Sequence, residues 1–203
     1  MKASVLRRFV ILAAVFTFVG FSGWMVVGQF TASTPGDFHV REGDIRLSDG
    51  KHADALAAFD RALAEAPDHR GALMGRALTF MRMGKRPEAM AEFAYLISYL
   101  NKTLKQDDTT GRATLAAAYA NRGILQDRAG RHKEALADYI EALKTDYGAL
   151  DGPSLFDKII YGTPNPSTVE KRAIYLHGQL KLPPEKRLLE VPELDAEQRM
   201  YKP

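Results

Sequence analysis

The chain contains no cysteine. That excludes a disulfide framework, a thiolate metal site and lipid attachment through sulfur, and it fits an oxidising compartment. Catalytic signatures are missing too: there is no His-Glu-x-x-His, no phosphate loop, no Gly-x-Ser-x-Gly and no Cys-x-x-Cys. An excess of one charge is also lacking over most of the length. Lys+Arg number 28 against 25 Asp+Glu, a formal charge of +3, and Lys2, Arg7 and Arg8 at the N-terminus supply the whole difference. A balanced surface has no footprint for tracking phosphates, so nucleic acid is not expected as a partner. Proline is scarce before residue 153 and common after it, with seven of the ten in 153–203. The histidines give no metal spacing. His52 and His132 each fall two residues after a glycine of a repeated pattern, which reads as exposed turn histidines, and His39, His69 and His177 stand apart. No enzyme activity, cofactor or metal is expected.

What is present in quantity is self-similarity. Gly50, Ala55, Phe59 and Ala62 recur as Gly84, Ala89, Phe93 and Leu96, and again as Gly130, Ala135, Tyr139 and Ala142. The first two glycines are 34 residues apart and the third lies 46 further on, a period of 34 with an insertion of 12. Spacing of i, i+4, i+7 lays the Ala, the ring and the last apolar residue along one helical stripe. The glycine before it marks a turn that needs positive φ or close backbone approach. Upstream of each glycine runs a second apolar-periodic segment, through Val40 and Leu47, Leu73 and Phe80, and Tyr119 and Ile124. Each unit is therefore helix, turn, helix, and neither helix buries its stripe alone. Helices are expected at about 37–48, 52–66, 70–83, 86–100, 112–129 and 132–146.

A 34-residue helix-turn-helix unit with Ala-x3-Phe in its second helix resembles the tetratricopeptide repeat. The copies fall at 36–69, 70–103 and 116–149, with 104–115 inserted, inside a repeat domain of 37–149. None carries the family's Trp, Glu42 stands where Leu is usual, and Asn101 and Tyr147 replace the closing proline that Pro67 supplies in the first copy. The resemblance implies an all-α, three-repeat helical solenoid whose first helices line a concave groove for protein partners, as peptide segments or as parts of a membrane complex. It places in that groove Val40, Asp44 and Leu47; Met74, Leu78, Met81 and Arg82; and Ala120, Ile124, Asp127 and Arg128. Arg76, Arg82, Arg122 and Arg128 would add a basic strip along the same helices.

The flanks differ from the repeats. Behind a basic flank (1–8), residues 9–28 carry no charge, and about 20 helical residues span the ~30 Å of a bilayer core. Residues 9–30 are expected to be a transmembrane anchor, followed by a linker at 31–36. The competing reading is a cleaved signal peptide. It calls for a shorter apolar region and a small-residue cleavage site, and Thr31-Ala32-Ser33 supplies only the latter. Positive charge before the run puts the N-terminus in the cytoplasm and the repeats outside, periplasmic in a bacterial cell, on a single-pass inner-membrane protein. At the other end, 150–203 is expected to form capping helices and a Pro-rich tail. Ser154–Tyr161 is one short helix, and Ser167-Thr-Val-Glu170 reads as a capping box opening a helix to about Leu180. Its Val169/Ala173/Leu176/Leu180 stripe is expected to dock on the second helix of the third repeat. The function expected is a membrane-anchored interaction scaffold, an assembly or docking factor. The alternative is a permanent structural subunit of a membrane complex.

The register itself is open to test by mutation. Ala89→Leu is expected to overpack a close helix crossing and cost about 1–3 kcal/mol. Phe93→Ala is expected to leave a cavity and cost about 3–5 kcal/mol. Denaturant melts of both variants that overlay the parent's would rule the register out.

Overall fold

The i, i+4, i+7 stripes do form helices, and they sit at the centre of the chain's core. In this computed structural model, which describes residues 3–30, 34–150, 167–196 and 198–199, Ala55, Phe59 and Ala62, Ala89, Phe93 and Leu96, and Ala135, Tyr139 and Ala142 are all completely buried. An apolar N-terminal helix, α1 (Ala3–Phe30), precedes three antiparallel pairs. These are α2 (Asp37–Ser48) with α3 (His52–Glu65), α4 (Arg70–Arg82) with α5 (Arg86–Thr103), and α6 (Thr109–Asp127) with α7 (His132–Thr145). A short α8 (Tyr147–Leu150) follows. After it come α9 (Val169–Leu180), a 3-10 turn at Pro184–Lys186 and α10 (Pro192–Ala196). No strand occurs among the described residues.

The turn within each pair is the same turn three times. Gly50, Gly84 and Gly130 have φ of +73°, +72° and +74°, a left-handed geometry that residues with a Cβ rarely adopt. Each pair then packs on the next: α3 runs against α4 and α5 against α6. The small positions of the skeleton permit this. The Phe59 ring lies between the backbones of α2 and α4, so close that a Cβ added at Gly43 or Gly75 would come within 2.5 Å or 2.3 Å of it. Tyr139 closes on Gly123 of α6 in the same way.

The inserted residues are spent on longer helices. α5 continues to Thr103 and α6 begins at Thr109, earlier than the periodicity suggests, because Asp108 caps it: the carboxylate accepts from Gly111 N at 2.7 Å. The same carboxylate takes a hydrogen bond from Arg70, which ties the start of α6 to the start of α4. His69 performs a comparable double task. Its Nδ1 accepts from Ala72 N to cap α4, and its Nε2 lies 2.9 Å from Asp37 at the start of α2. His39 lies 3.3 Å from Glu65. Neither histidine stands apart, as their isolation in the sequence suggested.

At the far end, α9 lays Val169, Ala173 and Leu176 into one cluster with Ala120, Ile124, Ala135, Tyr139, Ala142 and Leu150, while Leu180 stays half-buried. The expected capping box does not form. Thr168 is the cap, and its backbone and hydroxyl are taken up by Arg199 of the returning tail. Ser167 Oγ accepts from Val169 N at 3.2 Å, and Glu170 instead accepts from the Tyr147 hydroxyl. The helix expected at Ser154–Tyr161 lies outside the described residues.

A methyl group at Gly75 tests the crossing. In an open helix Gly→Ala is stabilising, but here the ring of a fully buried phenylalanine occupies the space. Gly75→Ala is expected to cost about 1–3 kcal/mol through overpacking. A thermal melt showing net stabilisation would contradict the packing.

Candidate partner-binding surface

The eleven residues expected to line a groove divide by repeat. In the first, Val40, Asp44 and Leu47 are half-buried, and Val40 and Leu47 rest on the cluster around Phe59. In the second, Met74, Leu78 and Met81 are half-buried against the cluster around Phe93, and Arg82 is exposed. These seven leave part of their surface to solvent. In the third repeat the expectation fails. Ala120 and Ile124 are enclosed in the core at 0% and 1% exposure, and Asp127 is buried as well. Only Arg128 is exposed, and it donates to the Gln198 carbonyl at 2.9 Å. The cause is α9 and the tail, which cover the last repeat where a further repeat would otherwise stand.

Of the four arginines of the basic strip, Arg82 and Arg128 are exposed, while Arg76 and Arg122 are paired with carboxylates. Arg76 bridges Asp60 and Glu92, at 2.9 Å and 2.8 Å. Arg122 makes two 2.7 Å bonds to Asp138, and its charge is held more firmly for it. Neutralised in this way, these arginines pin first helices to second helices and present no positive field.

In place of an open third repeat the structure has a closed polar junction centred on Asp127. Arg172 of α9 donates to it from Nε and Nη2, at 2.7 Å and 3.0 Å. Gln198 Nε2 donates to it at 2.7 Å, His132 Nδ1 lies 2.8 Å away, and the Tyr139 hydroxyl donates at 3.3 Å. Arg172 also reaches the Leu189 carbonyl at 2.9 Å and Asp195 at 3.0 Å. Three separate stretches of chain, α7, α9 and the tail, thus converge on one carboxylate of α6. His132 is buried here, a departure from the exposed turn histidine that its place after Gly130 suggested.

The electrostatics explain the crowding. Asp127 ends α6, where the last carbonyls make the local potential negative and a second negative charge is unwelcome. Burial alone would push its carboxyl up, but the hydrogen bonds from Arg172 and His132, with their charges, outweigh burial and hold it below the ordinary 3.8. Burial and the neighbouring Asp127 push the Tyr139 hydroxyl far up, so it stays a neutral donor. No site for a metal is formed by the described residues. Sequence reasoning misses this junction because Arg172 and Gln198 lie 45 and 71 residues beyond Asp127.

With this geometry in place, known proteins can be compared. A family model described as tetratricopeptide repeat matches residues 46–99, from within α2 to within α5. DnaJ homolog subfamily C member 3 of Rattus norvegicus is 34% identical over 108 residues, 53% of this chain and 19% of that protein. Its counterparts in Mus musculus and Homo sapiens are 33% identical over the same shares. The chain spans about a fifth of the length of the relatives it matches. By this match and the three in-register helix pairs, the chain is similar to tetratricopeptide-repeat proteins over residues 46–99. Repeats of that type are protein-interaction modules.

The junction yields a pH prediction with a definite sign. A carboxylate whose folded pKa is depressed adds stability above its unfolded value, and that stability is lost as pH falls through the folded value. Asp127, Asp37 and Asp108 all carry depressed values relative to 3.8, so the melting temperature is expected to fall steeply below about pH 4. Asp127→Asn is expected to be less stable than the parent at pH 7 and to lose less on acidification. Parallel pH profiles for the two would remove Asp127 from this role.

Proposed function

We propose that the protein is a membrane-anchored interaction scaffold that acts as an assembly or docking factor on the extracytoplasmic side. The repeat array supports the scaffold part, since its first two repeats leave first-helix side chains partly open to a partner. The observation that carries the membrane part is α1. Its stretch Arg7–Met25 is long and apolar enough to cross a membrane, and none of it is buried against the rest of the protein. A soluble core helix of that composition would be buried. At 28 residues α1 is about 42 Å long, enough to span a hydrocarbon core and its interface. Val10, Phe16, Phe18 and Trp24 are all more than half exposed, with no protein surface to cover them.

Lys2, Arg7 and Arg8 on the near side orient such a span with the N-terminus in the cytoplasm. The repeats would then stand close to the outer surface. Fully extended, the six residues from 31 to 36 reach about 20 Å. On this reading partner segments bind the first and second repeats, at Val40, Asp44, Leu47, Met74, Leu78, Met81 and Arg82. Those residues are partly open, and methionine suits a surface that must adapt to its ligand.

Protease protection tests the topology. Residues 34–199 are expected to be cleaved only when protease is added on the extracytoplasmic side, with the protein retained in membranes after carbonate washing. A soluble product beginning near residue 31 would replace the anchor by a cleaved signal. In the same preparation, stoichiometric and salt-resistant recovery of one complex would indicate a permanent subunit, whereas partial recovery lost on Met81→Glu supports the scaffold.

A further inference from the structure

The tail that closes over Asp127 is held in an unusual manner. The 3-10 turn and α10 bury none of their residues, and Leu188 and Leu194 remain 60% and 47% exposed. Its apolar contribution to the nearest core cluster is the half-buried Leu189. Polar contacts do the holding. The Leu189 and Gln198 carbonyls accept from Arg172 and Arg128, at 2.9 Å each, and the Leu188 carbonyl accepts from Tyr175 at 2.7 Å. Leu188 N donates to Gln179 Oε1 at 2.7 Å, and Arg199 N donates to Thr168 Oγ1 at 3.1 Å. Gln198 enters the interior and donates to Asp127, and Asp195 pairs with the buried Arg172 at 3.0 Å. Even there the fit is incomplete, since Gln198 Oε1 and Arg172 Nη1 are buried without a hydrogen-bond partner among the described residues.

By contrast α9 buries Val169, Ala173 and Leu176 in the core, beside its Arg172–Asp127 pair. A segment that buries little apolar surface and relies on a few polar contacts opens at a far lower free energy than the core beneath it. Opening would uncover the Asp127 carboxylate and the Arg172 guanidinium, and would free the already exposed Arg128 from the Gln198 carbonyl. That set recognises an extended peptide backbone, through its carbonyls, together with one side-chain donor.

We propose that residues 187–199 are a displaceable internal ligand, and that the site beneath them receives a partner segment of the same chemistry. Such a segment is extended, offers two main-chain carbonyls to Arg172 and Arg128, and places an amide or ammonium donor on Asp127. The tail competes with it. The closed state lowers the apparent affinity for the partner by the fraction of molecules that are closed. This inference rests on the reading of the protein as an interaction scaffold and is independent of the membrane anchor.

The test uses the full chain in mild detergent and a fluorescein-labelled synthetic peptide of residues 186–199. Gln198→Glu sets a second carboxylate against Asp127 in place of the donor. In that variant hydrogen exchange at the Leu188 and Arg199 amides is expected to speed up at least tenfold, while amides within α6 and α7 keep their protection. The peptide is expected to bind the variant at least about ten times more tightly than the parent, and Gln198→Ala is expected to behave likewise but less strongly. Loss of protection in α6 and α7 together with the tail would make the tail part of the fold and overturn the proposal. So would an unchanged tail in both variants, or an opened tail with equal or no peptide binding. None of these outcomes bears on the protease-protection result, so the two readings fail separately.

Discussion

Close helix crossing at a small residue, with a ring beside it, is the constraint on which the rest of the molecule depends. Phe59 touches the backbones of α2 and α4 through Gly43 and Gly75, and Tyr139 does the same to α6 through Gly123. A helix of this length carrying a single apolar stripe is not stable in water alone. Each pair therefore owes its stability to its own crossing and to the next pair in the stack. Ion pairs such as Arg76 with Glu92 and Arg122 with Asp138 lie across these crossings and fix their register. They add specificity to a stability that comes from apolar burial.

An array of this kind must end, and the two ends are treated differently. At the first, α2 leaves Phe38 and Ile45 exposed. At the last, α9 supplies three buried apolar residues and the returning tail supplies polar ones. The polar closure is needed because Asp127 sits where a helix already ends in negative potential. Replacing Arg172 by an apolar residue would leave an uncompensated buried charge, typically worth about 3–5 kcal/mol of stability. The same closure removes the third repeat from the surface available to partners and leaves the first two partly open.

For function the consequence is spatial. The open residues, Val40, Leu47, Met74, Leu78 and Met81, belong to the half of the array nearer α1 in the chain, while the latch of the tail lies at the other end. Among the described residues, the array leaves these side chains partly open toward one end and carries its C-terminal segment over the other.

The repeat unit was legible without any coordinates because its signal is periodic and local. Gly50, Gly84 and Gly130 mark one turn, and the Ala-ring-apolar stripe marks one helix face; both follow from backbone sterics and the 3.6-residue turn. The apolar run of α1 was equally plain, since composition over about 20 residues decides it. The surface was not legible. Whether a first-helix residue faces a partner or the core depends on what lies against it, and for Ala120, Ile124 and Asp127 that is a helix and a tail some 45 to 71 residues away along the chain. Likewise His132, placed by sequence in a turn like that of His52, is buried beside Asp127, on which Arg172 and Gln198 also close. Local sterics and hydrophobic period, both properties of neighbouring residues, determined the repeats; long-range burial, a property of the assembled chain alone, decided which charges are enclosed and which face remains open.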